Sequence, residues 1–263
     1  MGIIYGVVTI KGGVGKTSFI SNLAAAMVRE LPEARVLLVD TDPKGNLAIA
    51  FGHSPAQLEH TLYDMMMEGM PLQEVRIPLM DRLDLIPSNR RIAALAFDMS
   101  PNPLYRLKGL LKTIRDQYDY IFLDTPSDIG VLMGNVLGAA DRIIIPFEPE
   151  MFAMAAMIQT VEIVQDFQKN YRPKLIIDGI VAMKVDDVTA LYSEMLPLAR
   201  EYCLSHGLTM YETIIPKSMR YASTVAYERR PAFLSTPGDR YISPYAELVK
   251  EVLEHGEEKT AIS

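Results

Sequence analysis

The densest chemistry in the sequence lies in Lys11-Gly12-Gly13-Val14-Gly15-Lys16-Thr17, followed by Ser18. Glycines let backbone N–H groups close on an anion, and a helix that opens after them adds the partial positive charge of its N-terminus. The pattern suits a polyphosphate. Gly12, Gly13, Val14, Gly15, Lys16, Thr17 and Ser18 form the expected cradle, Lys16 reaches the β- and γ-phosphates, and the Thr17 hydroxyl coordinates Mg2+. ATP and Mg2+ are therefore the expected ligands. Two further segments end in carboxylates. Asp40 and Asp42 close the run Val36-Leu37-Leu38-Val39-Asp40-Thr41-Asp42, and Asp124 ends Tyr120-Ile121-Phe122-Leu123. A carboxylate at the C-terminal end of an apolar strand needs a reason to sit there, and organising Mg2+-bound water or an attacking water is such a reason. Asp40 and Asp42, two residues apart, share one side of the chain if strand geometry continues through them.

These residues need a scaffold that brings strand ends together. Apolar runs predict strands at 3–8, 35–39, 83–86, 120–123, 142–146, 175–183 and 210–215. Helical periodicity predicts helices at 18–30, 104–118, 152–170, 188–205 and 244–254. Strands apolar throughout and separated by helices imply an α/β fold, a mainly parallel twisted sheet with helices on both faces; the phosphate loop between its first strand and first helix makes the P-loop NTPase kind the expected one. The 263 residues suit one large domain, expected over 1–254, with a polar, flexible tail at 255–263. The Pro-, Gly-, Ser- and Arg-rich stretch 229–243 reads as a surface loop, and Met65-Met66-Met67 as core or partner-facing packing.

Composition excludes several classes. The single cysteine, Cys203, cannot form an internal disulfide and reads as a small apolar helix residue, which fits a cytoplasmic protein. The four histidines are scattered without metal-ligand spacing. No apolar run approaches about 18 residues, and the segment 1–10 lacks a basic leader, so neither a membrane span nor a signal peptide is expected. With 33 acidic against 26 basic residues and a formal charge of −7, any DNA contact must come from a local basic patch.

With Lys11 ahead of the glycines, the chain resembles the ParA/MinD family of deviant Walker A P-loop ATPases, and within it the small Soj-like ParA partition proteins. The resemblance implies that Lys11 reaches across an ATP-dependent homodimer interface to the partner's nucleotide. It also implies that Asp42 positions the hydrolytic water, and that Asp40 supports the metal shell beside Thr17 and Asp124. Lys11, Lys16 and Asp42 are then the catalytic residues of a slow ATPase. Val36 to Asn46 carries the family's second motif, with Lys44 where Gln is usual, and Tyr120 to Pro126 looks like the Walker B strand. Ser127 and Asp128 depart from the usual Pro-Ser, while Gly130 and Asn135 match again. Pro146 and Pro149 match a Pro-x-x-Pro segment; Ile215 and Pro216 match one whose backbone lines the adenine pocket. Residues 51–103 carry no recognisable motif.

Within the family, a lone cysteine does not fit the iron–sulfur reductases, and the acidic C-terminal helix does not fit a membrane-binding one. The first strand begins almost at Met1, so no N-terminal helix-turn-helix is expected. The subgroup then implies non-specific DNA binding, a nucleoid-associated location and a ParB-like centromere-binding adaptor. The candidate DNA-binding residues are Lys217 and Arg220, with Arg229, Arg230 and Arg240 as basic neighbours. Val188 stands where relatives place a DNA-binding arginine, so that either Lys184 substitutes for it or the patch lies elsewhere. The alternative is a related ATPase that positions a protein complex rather than DNA.

Overall fold

A computed structural model describes residues 2–97, 102–150, 152–186 and 190–261. Its strands are β1 (Ile3–Val7), β2 (Val36–Asp40), β3 (Ile77–Met80), β4 (Leu83–Ile86), β5 (Tyr120–Asp124), β6 (Arg142–Phe147), β7 (Ile176–Val185) and β8 (Met210–Pro216). They form one sheet in the order β3-β4-β2-β5-β1-β6-β7-β8. Only the β3–β4 pairing is antiparallel among the described residues.

The inner strands of the sheet are buried on both faces, which is why they are apolar without alternation. Successive residues of β1 and β2 enter opposite cores. Ile4, Leu37 and Val39 pack with Val136, Val161 and Val164, from helices Val131–Ala139 and Ala153–Asn170. Tyr5, Val36 and Leu38 pack against the other layer, helices Lys16–Glu30 and Pro244–Ala261, through Leu23, Met27, Leu248 and Val252. Each fully buried side chain of this size contributes about 1.5–3 kcal/mol by leaving water. The α/β architecture is the expected one.

Several elements differ from expectation. Strand β3 is additional to the predicted strands; it contains Pro78 and lies at the sheet's edge, where a missing N–H can be tolerated. The helix expected over 104–118 is broken into Pro103–Tyr105, Arg106–Lys112 and Arg115–Gln117, with only the middle piece α-helical. Within the expected loop 229–243, Ala232, Phe233 and Ile242 are buried, so this stretch is part of the core. Met65 and Met66 are buried, whereas Met67 is 38% exposed. The final helix runs to Ala261, past position 254, where a flexible tail was expected to begin. Cys203 is buried, and burial pushes its thiol up to about 11, in keeping with an inert packing role.

Candidate nucleotide site

The parallel register places the acidic strand ends side by side. Val7 of β1 aligns with Asp124 of β5, and Asp124 aligns with Asp40 of β2. The chain crosses from β1 towards β2 on one side and from β5 to β6 on the other, so the loop after β1 emerges where crossovers diverge. That crevice is the usual ligand position of an open α/β sheet. The loop ends at Gly15, whose φ of 98° is left-handed and favours glycine; helix Lys16–Glu30 starts immediately after it. A cavity of about 1040 Å³ opens there, lined by Gly13, Gly15, Lys16, Thr17, Ser18 and Asp42 on one side.

Lys16 is only 8% exposed, and its Nζ donates to Ser127 Oγ at 2.7 Å and to the Thr9 carbonyl at 3.3 Å. Burial lowers its pKa, opposed by the charges of Asp124 and Asp42. An anion entering the loop would supply the countercharge. The Thr17 hydroxyl donates to Asp124 Oδ2 at 2.6 Å. Asp124 is fully buried; its Oδ1 has no hydrogen-bond partner among the described residues. Burial pushes its carboxyl up to about 7, against the pull of the Thr17 hydroxyl and the Lys16 charge. A buried carboxylate oxygen without a donor, beside a threonine hydroxyl, fits a hydrated Mg2+. Thr17 and Asp124 are the residues that would hold it.

Asp40 sits differently from the metal-shell role expected of it. Its Oδ1 accepts the Asp42 N–H at 2.9 Å and its Oδ2 accepts the Leu47 N–H at 3.0 Å. Burial, and then the Asp124 charge, raises its pKa well above the ordinary range. Two backbone bonds make Asp40 the anchor of the turn that carries Asp42. Asp42 is half-buried, lines the cavity, and accepts the Lys44 N–H at 2.9 Å.

Lys11 does not enter its own phosphate loop. Its Nζ pairs with Glu150 Oε2 at 2.8 Å, with the two side chains 25% and 56% exposed. Lys184, the candidate substitute for the missing arginine, turns to the phosphate loop: its Nζ donates to the Gly13 carbonyl and to Glu148 Oε2 at 3.1 Å. Ile215 is fully buried in the core and Pro216 is half-buried; Tyr221, Ala222, Val225 and Ala226 line the cavity instead. Lys217 and Arg220 are exposed, but Arg220 Nε is tied to Asp239 Oδ2 at 2.6 Å. Arg230 pairs with Glu228 at 2.9 Å, and Arg240 stacks on Tyr241. Val188 lies outside the described residues. Sequence reasoning missed Ser127, Glu148 and Glu150 as site residues. Ser127 carried a signal, because it directly follows the Thr-Pro that ends the β5 segment.

The AAA domain family profile matches residues 2–177. The sporulation initiation inhibitor protein Soj of Bacillus subtilis is 31% identical over 259 residues, covering 97% of this chain and 100% of that protein. The chromosome partitioning protein ParA of Caulobacter vibrioides is 28% identical, covering 95% and 94% respectively. Among solved structures, apo McdA of Cyanthece superposes with a TM-score of 0.82 at 24% identity, covering 96% of this chain and 100% of that one. A putative plasmid partition protein of Borrelia burgdorferi bound to AMPPNP gives 0.78 at 22% identity, covering 98% and 100%. At these identities the structural likenesses speak to the fold alone.

Proposed function

Because the chain belongs to the ParA/Soj family of P-loop ATPases, we propose that it is an ATP-dependent DNA-partition ATPase, serving plasmid or chromosome segregation. In this reading it dimerises on ATP, binds DNA without sequence preference and is stimulated by a ParB-like adaptor. The observation that carries the reading is the convergence of Lys16, Thr17 and Asp124 at the loop, with partly exposed Lys11 beside it.

The chain's own groups divide the work. Loop amides and Lys16 hold the β- and γ-phosphates, and Asp42 orients a water for in-line attack. Thr17 and Asp124 would hold Mg2+, which would supply charge neutralisation at the phosphate oxygens. Lys11 belongs to the partner's nucleotide in the dimer, so ATP becomes part of the interface and favours association. The turnover is slow until the adaptor binds. A cytoplasmic, nucleoid-associated location follows from the DNA step; among the described residues no helix is long and apolar enough to cross a membrane.

DNA retention tests the reading. Random-sequence duplex at low salt is retained with ATP and released with ADP, because dimerisation doubles the phosphate contacts. Arg220→Ala weakens retention on every sequence alike and flattens the salt slope by roughly one unit per lost contact. An ATP-loaded dimer that fails to hold DNA sinks the partition reading and leaves the protein-cargo alternative. One observation favours that alternative: Arg220 is spent on Asp239 and Lys184 is turned inward, which thins the basic surface.

A further inference from the structure

Lys184 stands at an irregularity in β7. Its φ of 54° is left-handed, a conformation that costs a residue with a side chain. The β7–β8 register shifts between Met183 and Val185, on either side of it. Beyond the shift the strands are tied again, where the Lys217 N–H donates to the Val185 carbonyl at 2.7 Å. A bulge re-aims a side chain, and this one turns the lysine over the phosphate loop. The Nζ donates to the Gly13 carbonyl, and the Cε would lie 3.5 Å from a Cβ placed at Gly15. Lys184 therefore lies against both left-handed glycines of the loop. Its countercharge is Glu148, 13% exposed, at 3.1 Å. The Glu150 N–H donates to the Glu148 carbonyl at 2.8 Å, and the Glu150 carboxylate pairs with Lys11.

The bond to Gly13 has a directional consequence. A trans peptide is planar, and its carbonyl and N–H point opposite ways. Holding the Gly13 oxygen on the lysine therefore turns the Val14 N–H away from it. With glycines on both sides of that peptide unit's neighbourhood, the free loop has unusual freedom to turn it over. The half-buried Lys184 ammonium, bonded to the carbonyl, removes that freedom.

We propose that Lys184 is a positioning residue of the nucleotide site: by holding the Gly13 carbonyl it fixes the Gly13–Val14 peptide so that the Val14 N–H is ready for the phosphates. The Glu148 carboxylate holds the lysine in place. This rests on the reading of the loop as a nucleotide site, and it adds a residue from a distant strand to that site. ATP and ADP should feel it alike, because both carry the phosphates that the middle of the loop grips.

The test uses the full chain with fluorescent ATP and ADP analogues. Lys184→Met keeps the length of the stem and loses the donor. A lost charge-assisted bond makes the expected weakening about tenfold or more for both nucleotides. In turnover the loss falls on KM rather than on kcat. Lys184→Arg restores most of the affinity, since a guanidinium can still donate to the carbonyl, and Glu148→Gln gives an intermediate loss. Parent-like nucleotide affinity in Lys184→Met overturns the proposal. So does an equal loss in Lys184→Arg accompanied by a fall in melting temperature, which would make the position a matter of packing. A parent chain that binds neither nucleotide would instead refute the nucleotide-site reading, through a measurement in which Lys184 is intact.

Discussion

Asp124→Asn should make the chain more stable and useless as a nucleotide switch. Asp124 is fully buried, with one oxygen bonded to Thr17 and the other unpartnered among the described residues. Its carboxyl is pushed up from 3.8 to about 7, first by burial. At about 1.4 kcal/mol per pKa unit, ionising it inside the fold costs at most about 4 kcal/mol. The Asp40 carboxyl beside it is pushed up as well, so about 2 kcal/mol is the expected gain from the neutral isostere, whose amide oxygen still accepts from Thr17. For a chain of this size that is roughly 4–8 °C in melting temperature. The sign follows from proton linkage. Between the ordinary carboxylate pKa and about 7 the folded state holds a proton that the unfolded state has lost, so the parent loses stability as pH rises through that window. The advantage of the variant is therefore full above pH 7 and shrinks as the pH falls towards 4. Thermal melts at pH 7.5 and 5, with and without Mg-ATP, provide the assay. The parent gains stability with Mg-ATP, and the variant gains little. A variant that melts at or below the parent at pH 7.5, or that keeps the full Mg-ATP increment, refutes the reasoning.

Lys16→Gln removes the buried cation that bridges Thr9 and Ser127 and should abolish tight ATP binding; normal hydrolysis by that variant would mean the phosphates sit elsewhere. Asp42→Ala should separate binding from turnover, because Lys16, Thr17 and Asp124 remain in place. The variant should bind ATP, dimerise and stall, as light scattering and phosphate release would show. Loss of ATP binding together with turnover would assign Asp42 to the metal or the turn instead.

The fold was legible because its strands announce themselves: Val36 to Val39, Ile121 to Leu123 and Ile143 to Ile145 are unbroken apolar runs, each buried throughout. The loop was legible because its residues are contiguous and a local pattern carries its chemistry. What could not be read depends on pairing across the chain. Glu150 meets Lys11 over a separation of 139 residues, and Lys184 meets Gly13 over 171. No periodicity encodes such contacts. The role of Asp40 was hidden for a related reason. A strand-end aspartate looks the same in sequence whether its oxygens face a metal or two backbone amides, and only the path of Asp42 to Leu47 decides between them. The stretch 229–243 misled through composition, since Pro, Gly and Arg dominate it while its buried side chains include Ala232, Phe233 and Ile242.

The resting position of Lys11 bears directly on the proposed dimer. An intramolecular partner could have competed with the role in trans and made association unfavourable. The strength of the competitor decides the matter. Lys11 and Glu150 are 25% and 56% exposed, and pairs so open to water typically contribute about 0–1 kcal/mol. A triphosphate enclosed between two protomers offers several negative charges at lower effective dielectric, where each contact at about 4 Å is worth several-fold more than in water. The exchange therefore favours the nucleotide by a wide margin. Glu150 also remains solvated when Lys11 leaves, and Lys184 stays near enough to lower its pKa. Its charge is not stranded, so release costs little. In the proposed dimer the pair would hold Lys11 close to its task, and out of its own phosphate loop, until a second protomer brings a nucleotide to it.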